Sequence, residues 1–288
     1  MDRVSDNPLP ESPMPDSVPV IAPLGPGDLP GALALSQAEG WPHRTEDWAM
    51  IAGLGHGLVA RAGDRVVGTA CLVPFGAVAM LNMIIVSEAM RGRGLGARLM
   101  RAAMALVPAR EYRLVATEAG MPLYRKLGFR ETGRIAQSQG MLAATDALLP
   151  DLAGPDEAGA IAALDRAATG TDRRPLIQAL LAAGPVALLR DGDRITGYGA
   201  RRPFGRGLLI GPVIAPDAEG ARRLIAGLCA GCAGRFMRLD TPVEAGLTGW
   251  LAGLGLAHVD GGTTMSHGPR PPAPATPACF ALAAQALG

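Results

Sequence analysis

Apolar positions along the chain repeat with two periods, one typical of helices and one of strands. Helical spacing predicts amphipathic helices over Gly27–Glu39 and Gly154–Ala168. Alternating apolar runs, which are typical of strands, follow each of these helices. In the first half the predicted strands are Leu58–Ala62, Arg65–Val73, Val78–Val86, Tyr112–Thr117 and Phe129–Ile135, and the predicted later helices are Gly94–Val107 and Met121–Lys126. A strand meander followed by alternating helices and strands predicts a mixed α/β fold.

An internal repeat divides the chain into two copies of this pattern. Gly63-Asp-Arg-Val-Val-Gly68 matches Gly192-Asp-Arg-Ile-Thr-Gly197 at a shift of 129 residues, and the same shift places Leu81–Val86 on Ile210–Ala215. Continued without a gap, this register predicts that Gly94 corresponds to Arg223. We interpret the chain as two copies of one α/β unit.

Proline-rich segments flank the two copies. The stretch Met1–Pro19 predicts a disordered lead, and Pro269–Pro277 predicts a linker before a short helix within Ala278–Leu287. The predicted divisions are therefore residues 1–19, 20–142, 143–268 and 269–288.

Composition narrows the classes of partner and location. The net charge is +1 and Lys126 is the one lysine, so the sequence lacks the basic footprint of a nucleic-acid-binding protein. There is no apolar run long enough to span a bilayer and no signal segment, which predicts a cytoplasmic protein without membrane contact. Cys229 and Cys232 lack a second ligand pair, so we expect small buried residues and no metal. Tandem copies favour a monomer.

A glycine-rich turn carries the clearest chemical signal. Arg91-Gly-Arg-Gly-Leu-Gly96 lies between the predicted strand that ends at Val86 and the helix that follows. Such a turn directs free backbone N–H groups and the positive end of the helix dipole at one point, where a phosphate can bind. The predicted ligand is a nucleotide-like anion.

A dinucleotide fold is one alternative for this turn, because Gly92, Gly94 and Ala97 also fit the pattern G-x-G-x-x-G/A. That pattern normally begins directly at the end of the first strand of its fold, whereas here Ser87–Met90 intervenes and other strands precede. The hypothesis of an NAD-dependent oxidoreductase is thus the less favoured one.

Two motifs, one after the other in the chain, favour a different family over the dinucleotide fold. Arg91-x-x-Gly94-x-Gly96 resembles the acetyl-CoA motif of the GCN5-related N-acetyltransferase (GNAT) superfamily, and Tyr124-Arg-Lys-Leu-Gly-Phe129 resembles its later Y-x-x-x-G-F motif. The whole chain after Val20 resembles the two-domain, YitH-like members. The resemblance implies tandem GNAT folds, each a mixed, mostly antiparallel sheet flanked by helices. It also implies an N-acetyltransferase that uses acetyl-CoA and a primary amine, on a small molecule or a peptide.

The resemblance assigns roles to residues of the first copy. Main-chain groups of Ile84, Ile85 and Val86 would bind the pantetheine arm. The pyrophosphate would lie on Arg91, Gly92, Arg93, Gly94, Leu95, Gly96 and Ala97. Tyr124 would protonate the departing CoA thiolate, a transfer that costs only about 2 kcal/mol between ordinary tyrosine and thiol pKa values.

The acceptor side is less closely specified. Thr117 stands where the superfamily often has asparagine, and the neighbouring Glu118 is the candidate base. In the segment before Trp48, we expect acceptor contacts from His43, Arg44 and Asp47. An ordinary helix start near Thr45, with Trp48 packed inward, is the alternative.

The second copy lacks the chemistry of the first. In the ungapped register Gly94 and Gly96 become Arg223 and Ile225, and at a shift of 127 residues Tyr124 becomes Leu251. We therefore predict that the second copy is degenerate. A non-catalytic acyl-CoA or metabolite sensor is the alternative function for the whole chain.

Overall fold

The computed structural model describes residues 18–144, 147, 150–269 and 276–288. Residues 1–17, and hence nearly all of the predicted disordered lead, lie outside this range, as do residues 270–275 of the predicted linker.

The first copy contains all the elements that the sequence predicts, with two additions. Its elements are β1 (Val20–Pro23), α1 (Leu29–Ala38), α2 (Thr45–Leu54), β2 (His56–Ala62), β3 (Arg65–Phe75), β4 (Val78–Val86), α3 (Leu95–Leu106), β5 (Glu111–Ala116), α4 (Met121–Lys126) and β6 (Arg130–Met141). Strand β1 is new, and α2 begins at the alternative helix start. Trp48 of α2 is fully buried, and its indole N–H donates to Ser36 Oγ at 3.1 Å.

The second copy repeats this order. Its elements are β7 (Asp151–Leu152), α5 (Ala158–Thr169), α6 (Arg174–Ala183), β8 (Val186–Asp191), β9 (Arg194–Phe204), β10 (Gly207–Ala215), α7 (Ala218–Cys229), β11 (Phe236–Pro242), α8 (Thr248–Gly253), β12 (Ala257–His267) and β13 (Ala278–Ala281).

The predicted C-terminal helix is wrong. Its first four residues form β13, which pairs antiparallel with β10 through Val213↔Ala281 and Ala215↔Ala278. An alanine-rich segment has a high intrinsic helix propensity, but the free backbone groups of β10 bind it as a strand.

The ungapped register between the copies is also wrong at the turn before the long helix. Eight residues, 87–94, separate β4 from α3, whereas only Pro216 and Asp217 separate β10 from α7. The connection in the second copy is therefore six residues shorter, and it contains no glycine-rich turn. The predicted correspondence of Gly94 and Gly96 with Arg223 and Ile225 is wrong, because α7 begins before these residues.

All the strands of the described residues form one 13-stranded sheet in the order β1-β2-β3-β4-β5-β12-β6-β11-β10-β9-β8-β7, with β13 paired to β10. The copies exchange their last strands, because β12 of the second copy pairs with β5 and β6 of the first, and β6 pairs with β11. The sequence boundary at residues 142 and 143 thus does not divide the sheet.

Helices cover both faces of this sheet. Helices α1, α2, α5 and α6 form a shared core between the copies, which contains Trp48, Phe75, Ile161, Ile177 and Tyr198. On the opposite face α3 packs on the first copy and α7 on the second. Because one core contains side chains of both copies, burial of apolar surface fixes their relative position.

Candidate functional site

A cavity of about 770 Å³ lies where β4 and β5 separate, and both copies contribute to its wall. The two strands pair only over Val78–Met80 of β4, so that the rest of β4 has no ladder partner on the β5 side. Residues Leu81–Val86 line the cavity along this free edge. The predicted pantetheine residues Ile84, Ile85 and Val86 all lie on this wall.

A bulge in β4 changes the direction of its backbone at the cavity. Met83 has a φ of 49°, and the pairing register with β3 shifts beside it. The Thr69 hydroxyl donates to the Met83 carbonyl at 2.7 Å and fixes this conformation. The neighbouring Asn82 is buried on the cavity wall, and its Oδ1 has no hydrogen-bond partner among the described residues. Bulges commonly redirect groups at binding sites.

The glycine-rich turn lies at the end of the cavity next to α3. Gly92 and Gly94 have φ values of 76° and 77°, which favour glycine. No main-chain N–H of residues 92–97 donates a hydrogen bond of normal geometry to a described residue. A Cβ at Gly96 would lie 3.1 Å from Leu123 Cδ2, so this glycine also permits close packing of α3 on α4.

The two arginines of the turn have different environments. Arg91 lines the cavity, forms an ion pair with Glu39 and donates through Nε to the Val86 carbonyl at 3.2 Å. Arg93 is exposed and does not belong to the cavity wall. The remaining residues of the predicted cradle, Gly92, Gly94, Leu95, Gly96 and Ala97, are all on the wall.

Tyr124 lies on α4 with its side chain against the cavity. The residue is only 7% exposed, and burial raises the pKa of its hydroxyl to about 12. The hydroxyl forms no hydrogen bond with a described residue. Its ring packs so closely on Gly120 that a Cβ there would lie 2.7 Å from Cε2. The side chain is therefore fixed in position while its hydroxyl stays protonated and available.

Two of the three predicted acceptor residues lie off the cavity wall. Asp47 is buried and accepts hydrogen bonds from the Arg44 side chain, from the Arg44 main chain at 2.9 Å and from Gly205 N at 3.1 Å. These bonds lower the pKa of Asp47 against the effect of its burial. Asp47 and Arg44 thus hold the β9–β10 hairpin of the second copy against α2.

His43 is the predicted acceptor residue that does line the cavity. Its ring lies 5.9 Å from that of Trp41 and 5.4 Å from that of Phe204, and its Nδ1 is buried without a partner among the described residues. Burial lowers the pKa of His43 to about 4, so the imidazole is neutral near pH 7. The predicted base Glu118 is exposed and does not line the cavity, because its loop directs it to solvent.

Three glutamines on the cavity wall were missed from the sequence. Gln285 Nε2 donates to Asp240 Oδ1 at 3.1 Å and to Gln137 Oε1 at 3.4 Å, and Gln137 Nε2 donates to Gln139 Oε1 at 3.1 Å. The alternation Gln137-Ser-Gln139 within a strand was the available signal. The second copy further supplies Phe204, Arg206, Arg238 and Asp260 to the wall.

Three further observations concern metal ligands, cysteines and membrane spans. Among the described residues, no group of three or more His, Cys, Asp or Glu side chains is placed to hold a metal ion. Cys229 and Cys232 are buried and unpaired with each other. None of the helices in the described ranges is long and apolar enough to cross a membrane.

Comparison with known proteins agrees with this geometry. Two family models, each described as an acetyltransferase (GNAT) domain, match residues 53–131 and 161–279. The chain is 32% identical over 226 residues to the uncharacterized N-acetyltransferase YitH of Bacillus subtilis, covering 74% of this chain and 79% of YitH.

Solved structures share the fold at lower identity. A putative acetyltransferase from Pyrococcus horikoshii superposes with a TM-score of 0.79 at 18% identity, over 98% of this chain and 100% of its own. A tandem GNAT protein from the clavulanic acid biosynthesis pathway superposes with a TM-score of 0.59 at 15% identity, over 88% of this chain and 100% of its own. Given its two family matches and its identity to YitH over most of both chains, the chain belongs to the GNAT superfamily of N-acetyltransferases as a tandem, YitH-like member.

Proposed function

We propose that this enzyme transfers the acetyl group of acetyl-CoA to a primary amine at the cavity of the first copy. The observation that carries the proposal is the meeting of three features on one cavity wall: the open glycine-rich turn, the free edge of β4 and the Tyr124 side chain. Each feature matches one part of the co-substrate, namely pyrophosphate, pantetheine and thioester sulfur.

The turn would bind the pyrophosphate. Its free N–H groups and the N-terminus of α3 favour negative charge, and Gly94 leaves the approach without a side chain. Arg91 is close enough to the turn to exchange its exposed ion pair with Glu39 for a phosphate oxygen. Exposed ion pairs contribute only about 0 to 1 kcal/mol, so this exchange costs little.

The free edge of β4 would bind the pantetheine arm. From Leu81 onward β4 has no partner strand on its β5 side, so an extended amide-containing arm can pair with the backbone groups on that side as a strand would. Ile84, Ile85 and Val86 would supply these groups, and a main-chain N–H there would polarise the thioester carbonyl.

In the reaction, the neutral amine nitrogen attacks the thioester carbon and forms the new C–N bond. The nitrogen then releases a proton to solvent, and the C–S bond breaks with its electron pair on sulfur. An amine of ordinary pKa, about 10.4, must first lose a proton to water or a base, at a cost of about 4.6 kcal/mol at pH 7. His43 has a pKa of about 4, which makes it a weak base for this step.

Tyr124 would donate to the departing sulfur. Its pKa of about 12 keeps the hydroxyl protonated at every working pH. Full transfer to a thiolate of ordinary pKa, about 8.5, would cost about 5 kcal/mol, compared with about 2 kcal/mol for an unperturbed tyrosine. Burial would also raise the pKa of the CoA thiol, which reduces the difference between its pKa and that of Tyr124. A charge-assisted hydrogen bond from Tyr124 to the sulfur therefore precedes complete proton transfer.

The variant Tyr124→Phe tests this role. We expect kcat to fall about tenfold to a thousandfold, while the Kd for acetyl-CoA changes less than about threefold, because general acids typically contribute about 10² to 10⁴. Tyr112→Phe is the matched control, since the Tyr112 hydroxyl bonds to main-chain groups away from the cavity, with Met104 O at 2.9 Å. It should lower stability and leave kcat unchanged.

Unaltered turnover in Tyr124→Phe would contradict the role of Tyr124. Binding of acetyl-CoA by the parent chain, without turnover on any amine, would instead favour a non-catalytic acyl-CoA sensor.

A further inference from the structure

The charges on the cavity wall identify two groups that are free to bind an acceptor. Among the described wall residues, Glu39 pairs with Arg91, and Arg238 donates to both oxygens of Asp240 at 3.0 to 3.2 Å. Two charged residues of the wall, Asp260 and Arg206, form no ion pair with a described residue.

Asp260 lies at the reacting end of the cavity. It is on β12, three residues before Thr263, which pairs with Ala116 at the end of β5. The chain continues from that end of β5 through Thr117 to Gly120 and Tyr124. Asp260 Oδ1 accepts from Gly261 N at 2.7 Å, and no described residue donates to its other oxygen. A carboxylate here can hold the ammonium group of the acceptor beside the thioester.

Arg206 lies at the far end. It belongs to the β9–β10 hairpin, and its guanidinium carbon lies 4.8 Å from the centre of the Phe236 ring. Phe236 is opposite Met141 of β6, while Asp260 is opposite Gln137. These two β6 positions are four residues apart, and β11 and β12 lie one strand spacing to either side of β6. The Cα atoms of Phe236 and Asp260 are therefore separated by roughly 16 Å.

Hydrogen bonds among the three glutamines of the cavity wall fix the orientation of their amide groups between these two ends. A carboxylate only accepts, so Asp240 requires Gln285 to present its Nε2, and Gln285 in turn orients Gln137. Gln137 donates to Gln139 Oε1, which leaves Gln139 Nε2 as a donor without a partner among the described residues. Gln139 is the nearer of the two β6 glutamines to the Arg206 end, so its amide donor and the Arg206 guanidinium lie at the same end of the cavity.

We propose that the acceptor is an ω-amino carboxylate, a chain with an amine at one end and a carboxylate at the other. This rests on the proposed function. Asp260 binds the ammonium group, and Arg206 with Gln139 binds the carboxylate. Trp41 and Phe204 also line the cavity, and their rings offer apolar surface to methylene groups. The single carbon between the α-amine and carboxylate of an amino acid is too short to span the two ends.

The test measures acetyl-CoA-dependent thiol release by the full chain with two series. One contains glycine, 4-aminobutanoic, 6-aminohexanoic and 8-aminooctanoic acids, and the other contains 1-aminoalkanes of matched length. We expect kcat/KM to peak at the middle lengths and to exceed that of the matched aminoalkane by about tenfold or more, as one charge-assisted contact would give.

Two variants test which residue binds the carboxylate of the acceptor and which binds its ammonium group. Arg206→Gln should lower kcat/KM for the amino carboxylates to the level of the aminoalkanes and leave the aminoalkanes unchanged. Asp260→Asn should lower kcat/KM about tenfold for both series. Arg235→Gln is the matched control, because Arg235 is exposed beside Phe236 and outside the cavity wall. It should change neither series.

Titration with acetyl-CoA alone separates this inference from the proposed function. If acetyl-CoA fails to bind, both are overturned. If acetyl-CoA binds and other amines react, acetyl transfer stands and the inference is tested separately. Any of four results would overturn it: equal kcat/KM in the two series, a maximum at glycine, no turnover of either series, or a ratio of kcat/KM between the two series that Arg206→Gln leaves unchanged.

Discussion

The two copies share a strand and the long helix that follows it, joined by turns of different length, and only the first copy leaves its helix N-terminus open. Before α3 the turn ends at Gly94, which has no side chain to cap the helix. Before α7 the turn ends at Asp217, whose Oδ1 accepts from Gly220 N at 2.7 Å. The second helix thus carries its own carboxylate where the first can bind an external anion.

The gap between strands differs in the same way. Strands β4 and β5 separate and leave a cavity, whereas the corresponding gap between β10 and β11 contains β13. Leu282 N, just after β13, donates to the Asp240 carbonyl of β11 at 2.8 Å and closes the gap. The second copy thus fills from within both the helix N-terminus and the strand gap that the first copy leaves for a ligand. We therefore propose for it a structural role and a share of the acceptor wall.

Separating the copies should have the largest effect. Strand β12 pairs with both β5 and β6, and β11 pairs with the other side of β6. A fragment of residues 18–144 would therefore expose one edge of β5 and both edges of β6. We expect this fragment to aggregate and to bind no acetyl-CoA, and co-expression with residues 150–288 to restore binding. A soluble fragment with the affinity of the full chain would show that the copies are independent.

The loops between the first two helices of each copy differ in how far their polar groups are satisfied. Arg173 of the second copy pairs with Asp165 at 2.6 Å, whereas His43 is half-buried, with a buried Nδ1 that has no partner among the described residues. Its pKa in the folded chain, about 4, is below the ordinary 6.5, so the unfolded chain binds the extra proton as pH falls from 6.5 to 4.

The free energy of unfolding should therefore decrease over that pH range by up to about 3 kcal/mol from His43. His43→Phe should flatten this slope in denaturant titrations at a series of pH values. His258→Phe, which changes an exposed histidine on β12, should leave the slope in place. An unchanged slope in His43→Phe would show that other groups cause it.

Tyr124 has no hydroxyl counterpart in the second copy, and Gly120 fixes its position. A methyl group at residue 120 would collide with the Tyr124 ring, so Gly120→Ala should lower kcat about tenfold to a hundredfold, as misplacement of a catalytic group does. The Kd for acetyl-CoA should change less than about threefold. Gly249→Ala on α8 is the control, because its Cβ meets open space. Full activity in Gly120→Ala would mean that the hydroxyl position is unimportant.

Removing the cap of α7 should have the smallest effect. Asp217→Ala should lower the free energy of unfolding by about 1 kcal/mol through loss of the N-cap. It should not create a second acetyl-CoA site, since β13 still fills the gap. Asp193→Ala, in the exposed β8–β9 turn, is the control for loss of a carboxylate. Binding of a second acetyl-CoA by Asp217→Ala would mean that the cap alone closes the second copy.

Local chemistry made much of the first copy predictable. The elements and the glycine-rich turn depend on neighbouring residues, so their periodicity and glycine spacing are visible in the sequence. The ungapped register that placed Gly94 on Arg223 was nevertheless wrong, because apolar residues at helical spacing align in several registers.

Long-range pairing accounts for what the sequence did not predict. Strand β13 depends on the free edge of β10, and Gln137 and Gln139 reach the cavity because β6 crosses to the second copy. Asp47 looked like a ligand contact because its partner, Gly205, lies far away in the chain. The pairing of β13 and the contact of Asp47 with Gly205 have no local signature. The alternation of Gln137 and Gln139 shows that the two share a face of β6, but not which cavity that face lines.

Isothermal titration with acetyl-CoA tests the central claim most directly, because it counts the open sites. We predict one site per chain, loss of binding by about a hundredfold or more in Gly94→Glu, and unchanged binding in Gly63→Glu. Gly63 is an exposed turn glycine with a φ of 60°, which matches the backbone strain of Gly94 at 77°. Two sites per chain, or parental affinity in Gly94→Glu, would contradict the assignment of acetyl-CoA to the first copy alone.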